Sequence, residues 1–336
     1  MLNGKSILVT GGTGSFGKAF VVDVLQRYKK IKRLVVFSRD ELKQYEMAQH
    51  PIIREAESIR FFLGDVRDKS RLYRALKGVD IVIHAAALKQ VPAAEYNPLE
   101  FINTNIRGGE NLIEAALDSK VEQVIALSTD KAVAPVNLYG ATKLCSEKLF
   151  VAANHYAGSS TKFTVVRYGN VFGSRGSVVP YFLEMAQTGT LPLTNREMTR
   201  FNITLSESID LVLWAIENSE GGEILVPKIP SYRLIDLAEA IGPSCEQKII
   251  GVRPGEKIHE EMISANDSVS TVDLGDIYAV LPSHDWFDAD TYQRKHSATP
   301  VTANFSYNSE TNPKKIGVGE LRELILEHID PSFEPI

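Results

Sequence analysis

Lys5-Ser6-Ile7-Leu8-Val9-Thr10-Gly11-Gly12-Thr13-Gly14-Ser15-Phe16-Gly17, continuing as KAFVVDVLQRY to Tyr28, is the stretch that decides the architecture. The apolar run at 5–10 reads as a strand buried on both faces, and the residues after Gly17 carry apolar side chains at helical spacing. Between them the glycines satisfy GxGxxG at Gly12, Gly14 and Gly17, and also GxxGxxG at Gly11, Gly14 and Gly17. Such a turn brings backbone close to a pyrophosphate, whose charge the following helix N-terminus stabilises. Three glycines alone carry little weight, but strand, glycines and helix in that order are the context that gives them meaning. The stretch implies an α/β, Rossmann-type doubly wound parallel sheet holding a dinucleotide at Gly11, Thr13, Gly14, Ser15, Phe16 and Gly17.

Working outward, Arg33 to Phe37 (RLVVF) reads as the second strand and ends in Ser38-Arg39-Asp40-Glu41. A site for NAD places a carboxylate at this end to hold the ribose 2′-hydroxyl, whereas Ser38 and Arg39 suit a 2′-phosphate. NADP is therefore expected, with Lys43 near the same end, although Asp40 and Glu41 pull the other way. Ile59 to Leu63 (IRFFL) is a third strand, whose continuation Gly64-Asp65-Val66 is placed to meet the adenine. Val79 to Ala87 (VDIVIHAAA) is a fourth, running into Ala85, Ala86 and Ala87, small enough for backbone to pass close to a cofactor. Lys89, just beyond, is a candidate for cofactor and substrate alike. His84 reads as a packed core residue, because its neighbours are apolar and no second ligand is spaced for a metal. Asn103-Thr104-Asn105 reads as the opening of the next helix, an N-cap.

The most chemically loaded segment is VEQVIALSTDKAVAPVNLYGATK, Val121 to Lys143. Val124 to Leu127 form a buried-type strand, and Ser128, Thr129, Asp130 and Lys131 sit at its carboxyl end, the edge where open α/β sheets bind ligands. Tyr139 and Lys143 follow at the i, i+4 spacing of one helical face. An ammonium beside a phenol favours phenolate, so such a tyrosine can exchange a proton with an alcohol while hydride leaves or joins its carbon.

Composition sets the bounds. With 336 residues, 44% of them hydrophobic, the chain can bury a large core. A net charge of −5 offers no basic field for nucleic acid or anionic membrane. Two cysteines, Cys145 and Cys245, suggest neither a disulfide framework nor a metal site, and a cytoplasmic location is expected. The string beginning at His259-Glu260-Glu261 starts like HExxH but has Ile263 at the second ligand position, so zinc is not expected.

Phe163 to Arg167 and Glu223 to Pro227 read as further strands of the sheet. Ser264 to Thr311 reads as loops and short strands, and about Gly319 to His328 as an amphipathic helix. The cofactor-binding domain is drawn at 1–172 and about 201–227, and a smaller substrate domain at about 173–200 and 228–336.

The strings TGGTGSFG, SRDELK, HAAALKQVP, LSTDK, NLYGATK, RYGNVFGSRGSVVP, MTRF and GVRPGEKIHE together resemble the extended short-chain dehydrogenase/reductase superfamily. Within it they resemble the inverting UDP-N-acetylglucosamine 4,6-dehydratases, in the branch that starts pseudaminic acid synthesis. The resemblance implies bound NADP at the residues above and at Leu127, Ser128, Tyr139 and Lys143. It implies that Tyr139 deprotonates the sugar 4-hydroxyl, Lys143 holds the nicotinamide ribose, and Thr129 bonds the 4-oxygen. Lys131 would be the C5 base and Asp130 would assist departure of the C6 hydroxyl, where retaining relatives are expected to carry Asp-Glu. A basic Lys131 requires burial or positive charge to depress its pKa. Lys89, Asn170, Val178, Thr199, Arg253 and Glu256 would meet UDP-N-acetylglucosamine. A homo-oligomer, hexameric by resemblance, is implied too. The Phe305-Ser306-Tyr307-Asn308-Ser309 string matches a family tail motif with no role apparent from its residues. A retaining dehydratase, a nucleotide-sugar epimerase and a non-catalytic NADP-sensing protein stand as the rival readings.

Overall fold

Val9 lies between Val36 on one side and Ile83 on the other, in parallel register, and this pairing frames the molecule. The computed structural model describes residues 1–158 and 160–336. Strands β1 (Ser6–Thr10), β2 (Arg33–Ser38), β3 (Ile59–Leu63), β4 (Ile81–His84), β5 (Gln123–Thr129) and β6 (Lys162–Tyr168) stand in the order β3-β2-β1-β4-β5-β6. All pair in parallel, as the continuous apolar runs implied. Strand order reverses at β1 and β4, so a crevice opens there beyond the carboxyl ends.

Helix α1 (Ser15–Arg27) starts directly from the glycine turn and buries Phe20, Val21 and Val24 against the sheet. Helix α2 (Glu41–Ala48) follows β2 and is capped by Asp40. The long helix Leu138–Ala157 is capped by Asn137, whose side chain accepts from the Gly140 N–H. Phe150 and Phe163 are fully buried between this helix and the sheet. Each such side chain contributes on the order of 1.5–3 kcal/mol of transfer free energy. Beneath them the Arg167 guanidinium donates to both Glu147 carboxylate oxygens, at 2.9 and 2.6 Å.

Past β6 the sheet continues with Ile224–Pro227, parallel, and then with antiparallel Ile277–Val280 and Thr271–Asp273, ending at Thr299–Pro300, for ten strands. The sequence reading set all of 228–336 with the substrate part, so strands at 271–300 on the main sheet differ from it. Their short runs lack the long apolar signature because an antiparallel margin needs only one covered face.

A second apolar cluster gathers Phe182, Leu193, Leu237, Ile241, Leu321 and Ile325. It is built by helices Val178–Ala186, Leu234–Ile241 and Val318–His328 beside a two-stranded parallel pair, Thr190–Leu193 with Glu246–Ile249. A three-stranded sheet of Asn170–Val171, Thr199–Ile203 and Ser231–Arg233 joins the two parts.

Two local expectations change. The fourth strand stops at His84, leaving Ala85–Ala87 as loop. Asn103-Thr104-Asn105 does not cap a helix but lies inside a π-helical turn, Ile102–Arg107, that runs on into the helix Gly108–Asp118. The physical reason is Asn105, whose carboxamide accepts from the Leu88 N–H at 2.8 Å and donates to the Leu88 carbonyl at 2.9 Å. That residue fixes the loop after β4. Among the described residues no helix is long and apolar enough to cross a membrane.

Candidate active site

The crevice is a cleft of about 1390 Å³ running from the glycine turn, past the end of β5, to the loop at 253–257. Lysines and arginines outnumber acids along its walls, despite the negative net charge. That local excess suits a ligand carrying several phosphates.

At one end lie Gly11, Thr13, Gly14, Ser15, Phe16 and Gly17. Gly11 has φ +64°, and a Cβ on it would meet the Ala86 nitrogen at 2.8 Å, so the β1 and β4 loops touch. A Cβ on Gly17 would stand 2.5 Å from Gly12 Cα. The first turn of α1 carries no acid, leaving its N-terminus open to an anion. These features fit a dinucleotide pyrophosphate.

Beyond β2, Ser38 is buried and its hydroxyl accepts from Gln44 Nε2 at 3.0 Å. Asp40 is committed to α2, accepting from the Lys43 N–H at 3.0 Å and from its Nζ at 2.8 Å. Arg39 stays largely exposed, 3.8 Å from Asp65. Asp65 is itself held by Arg67 at 2.7 Å, and Val66 packs under Gly108. Ala85, Ala86, Ala87 and Lys89 form the facing wall. His84 is buried and bonded to Thr10 Oγ1 at 2.8 Å, and burial pulls it down to about 3, so it stays neutral.

The centre is built by the end of β5 and the long helix. Leu127, Ser128, Thr129, Lys131, Tyr139 and Lys143 all line the cleft. Thr129 Oγ1 donates to Asp130 Oδ1 at 2.8 Å. Lys131 Nζ stands 3.0 Å from Asp130 Oδ1, 3.1 Å from Asn170 Oδ1 and 3.5 Å from Glu260 Oε1.

Two electrostatic expectations reverse here. Burial works against the Lys131 ammonium, but Asp130 and Glu260 outweigh it and raise its pKa above the ordinary lysine range. Tyr139 is pushed up to about 12 by burial, and the cation that opposes this is Lys131. Lys143 instead donates to the Leu127 carbonyl at 2.8 Å, and burial brings it down to about 8. The i, i+4 spacing placed the pair correctly on one face but did not reveal which cation the phenol feels.

Asn170, Val178, Arg253 and Glu256 line the far end. Two assigned residues do not. Asp130 has no exposed surface, and Thr199 is buried, with Oγ1 bonded to Ser309 Oγ at 2.6 Å and His259 Nδ1 at 2.8 Å. Alternation along a strand explains Thr199: it faces inward while Arg200, its neighbour, faces the cleft. Sequence reasoning missed Arg200 and Glu260. Arg200 lay in the quoted MTRF string, and Glu260 was visible only inside the discarded HExxH-like pattern. The loop 253–257 is tied to the segment between β5 and the long helix, since Lys257 Nζ donates to the Val133 carbonyl at 2.5 Å and Asn137 Nδ2 to the Gly255 carbonyl at 2.7 Å.

Several buried polar atoms along or just behind the cleft wall have no partner among the described residues: Ser128 Oγ, Asp130 Oδ2, Glu256 Oε2 and Glu260 Oε2. Orphans gathered at one cleft are what a polar ligand would satisfy.

A family model described as "Polysaccharide biosynthesis protein" matches residues 7–282. A curated inverting UDP-N-acetylglucosamine 4,6-dehydratase of Campylobacter jejuni is 52% identical, over 97% of this chain and 98% of its own. A protein of Rickettsia felis named UDP-glucose 4-epimerase is 42% identical, over 96% and 95%. Among solved structures, Pen from Bacillus thuringiensis is 37% identical with a TM-score of 0.87, covering 97% of this chain and 98% of that one. A UDP-glucose 4-epimerase of Thermus thermophilus, solved with NAD, is 25% identical with a TM-score of 0.63, over 75% and 88%.

Proposed function

Because this chain belongs to the polysaccharide biosynthesis protein family of extended short-chain dehydrogenase/reductases, alongside the inverting UDP-N-acetylglucosamine 4,6-dehydratases, we propose that it catalyses that dehydration with NADP. The product would be the 4-keto-6-deoxy sugar nucleotide inverted at C5, a first step toward pseudaminic-type sugars. The observation that carries the reading is Lys131, set among Asp130, Asn170 and Glu260 in the same cleft as Tyr139 and Lys143.

A nicotinamide cofactor, as in the solved Thermus relative, would be held by the glycine turn, the N-terminus of α1, Asp65, Val66 and the Ala85–Ala87 loop. Arg39 and Lys43 would take its 2′-phosphate, because Asp40 is already occupied as a helix cap. Held there, a nicotinamide cofactor would supply reversible hydride transfer, taking up the C4 hydride and giving it back at C6.

This chain's own groups handle the protons. Tyr139 takes the proton of the 4-hydroxyl, with the Lys131 charge favouring its phenolate. Lys131 acts at C5 once it has surrendered a proton, a loss that Arg200 nearby favours. Asp130 assists departure of the C6 hydroxyl from behind the cleft wall, through Thr129 and Lys131: Lys131 passes the proton taken from C5 to the C6 oxygen, which leaves as water. Arg253 and Lys257 suit the diphosphate, and Glu256 a ribose hydroxyl.

The Rickettsia name supports an epimerase as the second reading. Incubation with UDP-N-acetylglucosamine in D₂O, followed by proton NMR, separates the two. The proposal expects a 4-keto-6-deoxy product with deuterium at C5 in the L-arabino configuration. A D-xylo product would mean retention, a 4-epimer without deuterium an epimerase, and unchanged substrate beside tight NADP binding a sensor.

A further inference from the structure

Lys131 needs a counter-charge that both holds it and can let go, and the chain supplies two carboxylates of different kinds. Asp130 is fully enclosed and shares Oδ1 between Thr129 and Lys131. Glu260 comes from the far side, just before the strand Glu261–Ile263, and reaches the cleft wall. Its nearest cations are Lys131, at 3.5 Å, and Arg200, at 3.8 Å. Arg200 Nη1 is engaged by the Thr199 and Ile258 carbonyls at 2.7 and 3.0 Å, which fixes the guanidinium with Nε toward the glutamate, so Glu260 Oε1 lies between the two cations with Lys131 the nearer.

Ser309 pins the backbone on which Glu260 stands. Its hydroxyl accepts from the Glu260 N–H at 2.9 Å, and its own N–H donates to the Glu260 carbonyl at 2.8 Å. The fully buried Ser309 hydroxyl also meets Thr199 Oγ1. The tail string Phe305–Ser309 thereby acquires a purpose: it anchors the backbone from which that carboxylate extends. On the side chain itself Oε1 faces Lys131 and Arg200, while the buried Oε2 has no partner among the described residues.

We propose that Glu260 is a positioning residue for Lys131, holding its ammonium at the cleft wall and governing when that group gives up its proton. This deepens the dehydratase reading and rests on it for its chemical meaning. The ionisable groups facing Lys131 are Asp130 on its own turn, Tyr139 on the long helix, Arg200 and Tyr232 on the three-stranded sheet, Glu260, and Lys89 beyond β4. Of the two carboxylates, only Glu260 lies on the cleft surface, where a ligand can alter its surroundings.

The test is reductive methylation of the full chain with formaldehyde and cyanoborohydride near pH 9, read lysine by lysine by mass spectrometry. In Glu260→Gln, Lys131 is expected to react about tenfold faster than in the wild type, the effect of losing an opposite charge within ~4–6 Å, while Lys143 keeps its rate. Glu260→Ala, whose space the cleft can fill with water, repeats the test should the amide fold poorly. Wild-type reactivity of Lys131 in a folded variant overturns the proposal, as does equal acceleration of Lys131 and Lys143, which would mean general loosening. With UDP-N-acetylglucosamine, the rising limb of C5 deuterium exchange in Glu260→Gln is expected about one pH unit lower. The labelling needs no turnover, so a chain that fails to dehydrate this sugar yet shows the Lys131 difference loses the proposed function and keeps the role of Glu260.

Discussion

Lys143 gives one hydrogen of its Nζ to the Leu127 carbonyl, 2.8 Å away, and so ties the long helix to the end of β5 at the floor of the cleft. Burial lowers its pKa to about 8, with Glu147 opposing. In an unfolded chain the group would titrate near the ordinary lysine value, so its full contribution to stability exists only above that value and is lost as pH falls toward 8. Lys143→Met is expected to abolish turnover by a factor of at least ~100. The same variant is expected to be more stable than the wild type at pH 7 by about 1 kcal/mol, an advantage that shrinks at pH 10. Paired thermal melts and activity assays check both.

Gly17→Ala tests the turn. Its new methyl would stand 2.5 Å from Gly12 Cα and 2.6 Å from the Gly12 carbonyl oxygen, both backbone atoms. Neither can yield without reshaping the turn, so a loss of about 1–3 kcal/mol is expected. Dinucleotide binding should fall with it, as titration calorimetry would show.

Arg39→Ala addresses cofactor choice. Arg39 pairs with Asp65 at a loose 3.8 Å and is otherwise exposed, so its removal should leave the melting temperature within a degree or two. Affinity for NADP is expected to drop about tenfold or more, with affinity for NAD unchanged. Equal loss for both cofactors would count against a 2′-phosphate contact.

Glu223 offers a pH-dependent stability test far from the cleft. It is fully buried, one oxygen accepts from the Glu220 N–H at 2.7 Å, and the other has no partner among the described residues. Burial pushes it up to about 7, with backbone hydrogen bonds opposing. Folding therefore favours its neutral form. Its contribution is whole below the ordinary glutamate range and is lost as pH rises to 7. Glu223→Gln should be stabilising by about 1–2 kcal/mol at pH 8 and neutral at pH 4, by denaturant titration.

Much of this molecule was legible because its parallel strands, β3 at the margin excepted, are buried on both faces and so appear as unbroken apolar runs. The order β1, glycine turn, α1 could be read from Lys5 to Tyr28, and Tyr139 and Lys143 from their spacing. Harder to read was anything set by contacts between distant segments. Glu260 and Asp130 are 130 positions apart, yet both stand against the Lys131 ammonium. Thr199 and Arg200 were inseparable in sequence, since a short strand inside mixed residues does not announce which face is inward. Asn105 resembled a cap because its bond to Leu88 spans 17 residues. Ser264 to Thr311 gave no hint of joining the main sheet, where three brief strands had too few residues to form a pattern.

The outermost of those strands, Thr299–Pro300, is two residues long and exposed, with Pro300 opposite Val272. A bare sheet margin is a template on which a stranger's backbone can add itself, and proline has no N–H to offer such a guest. That flank is closed to growth. Extension of the main sheet by another copy is then left to the β3 side, and the chain is guarded against fibrous self-addition at the end where that sheet would otherwise lie open.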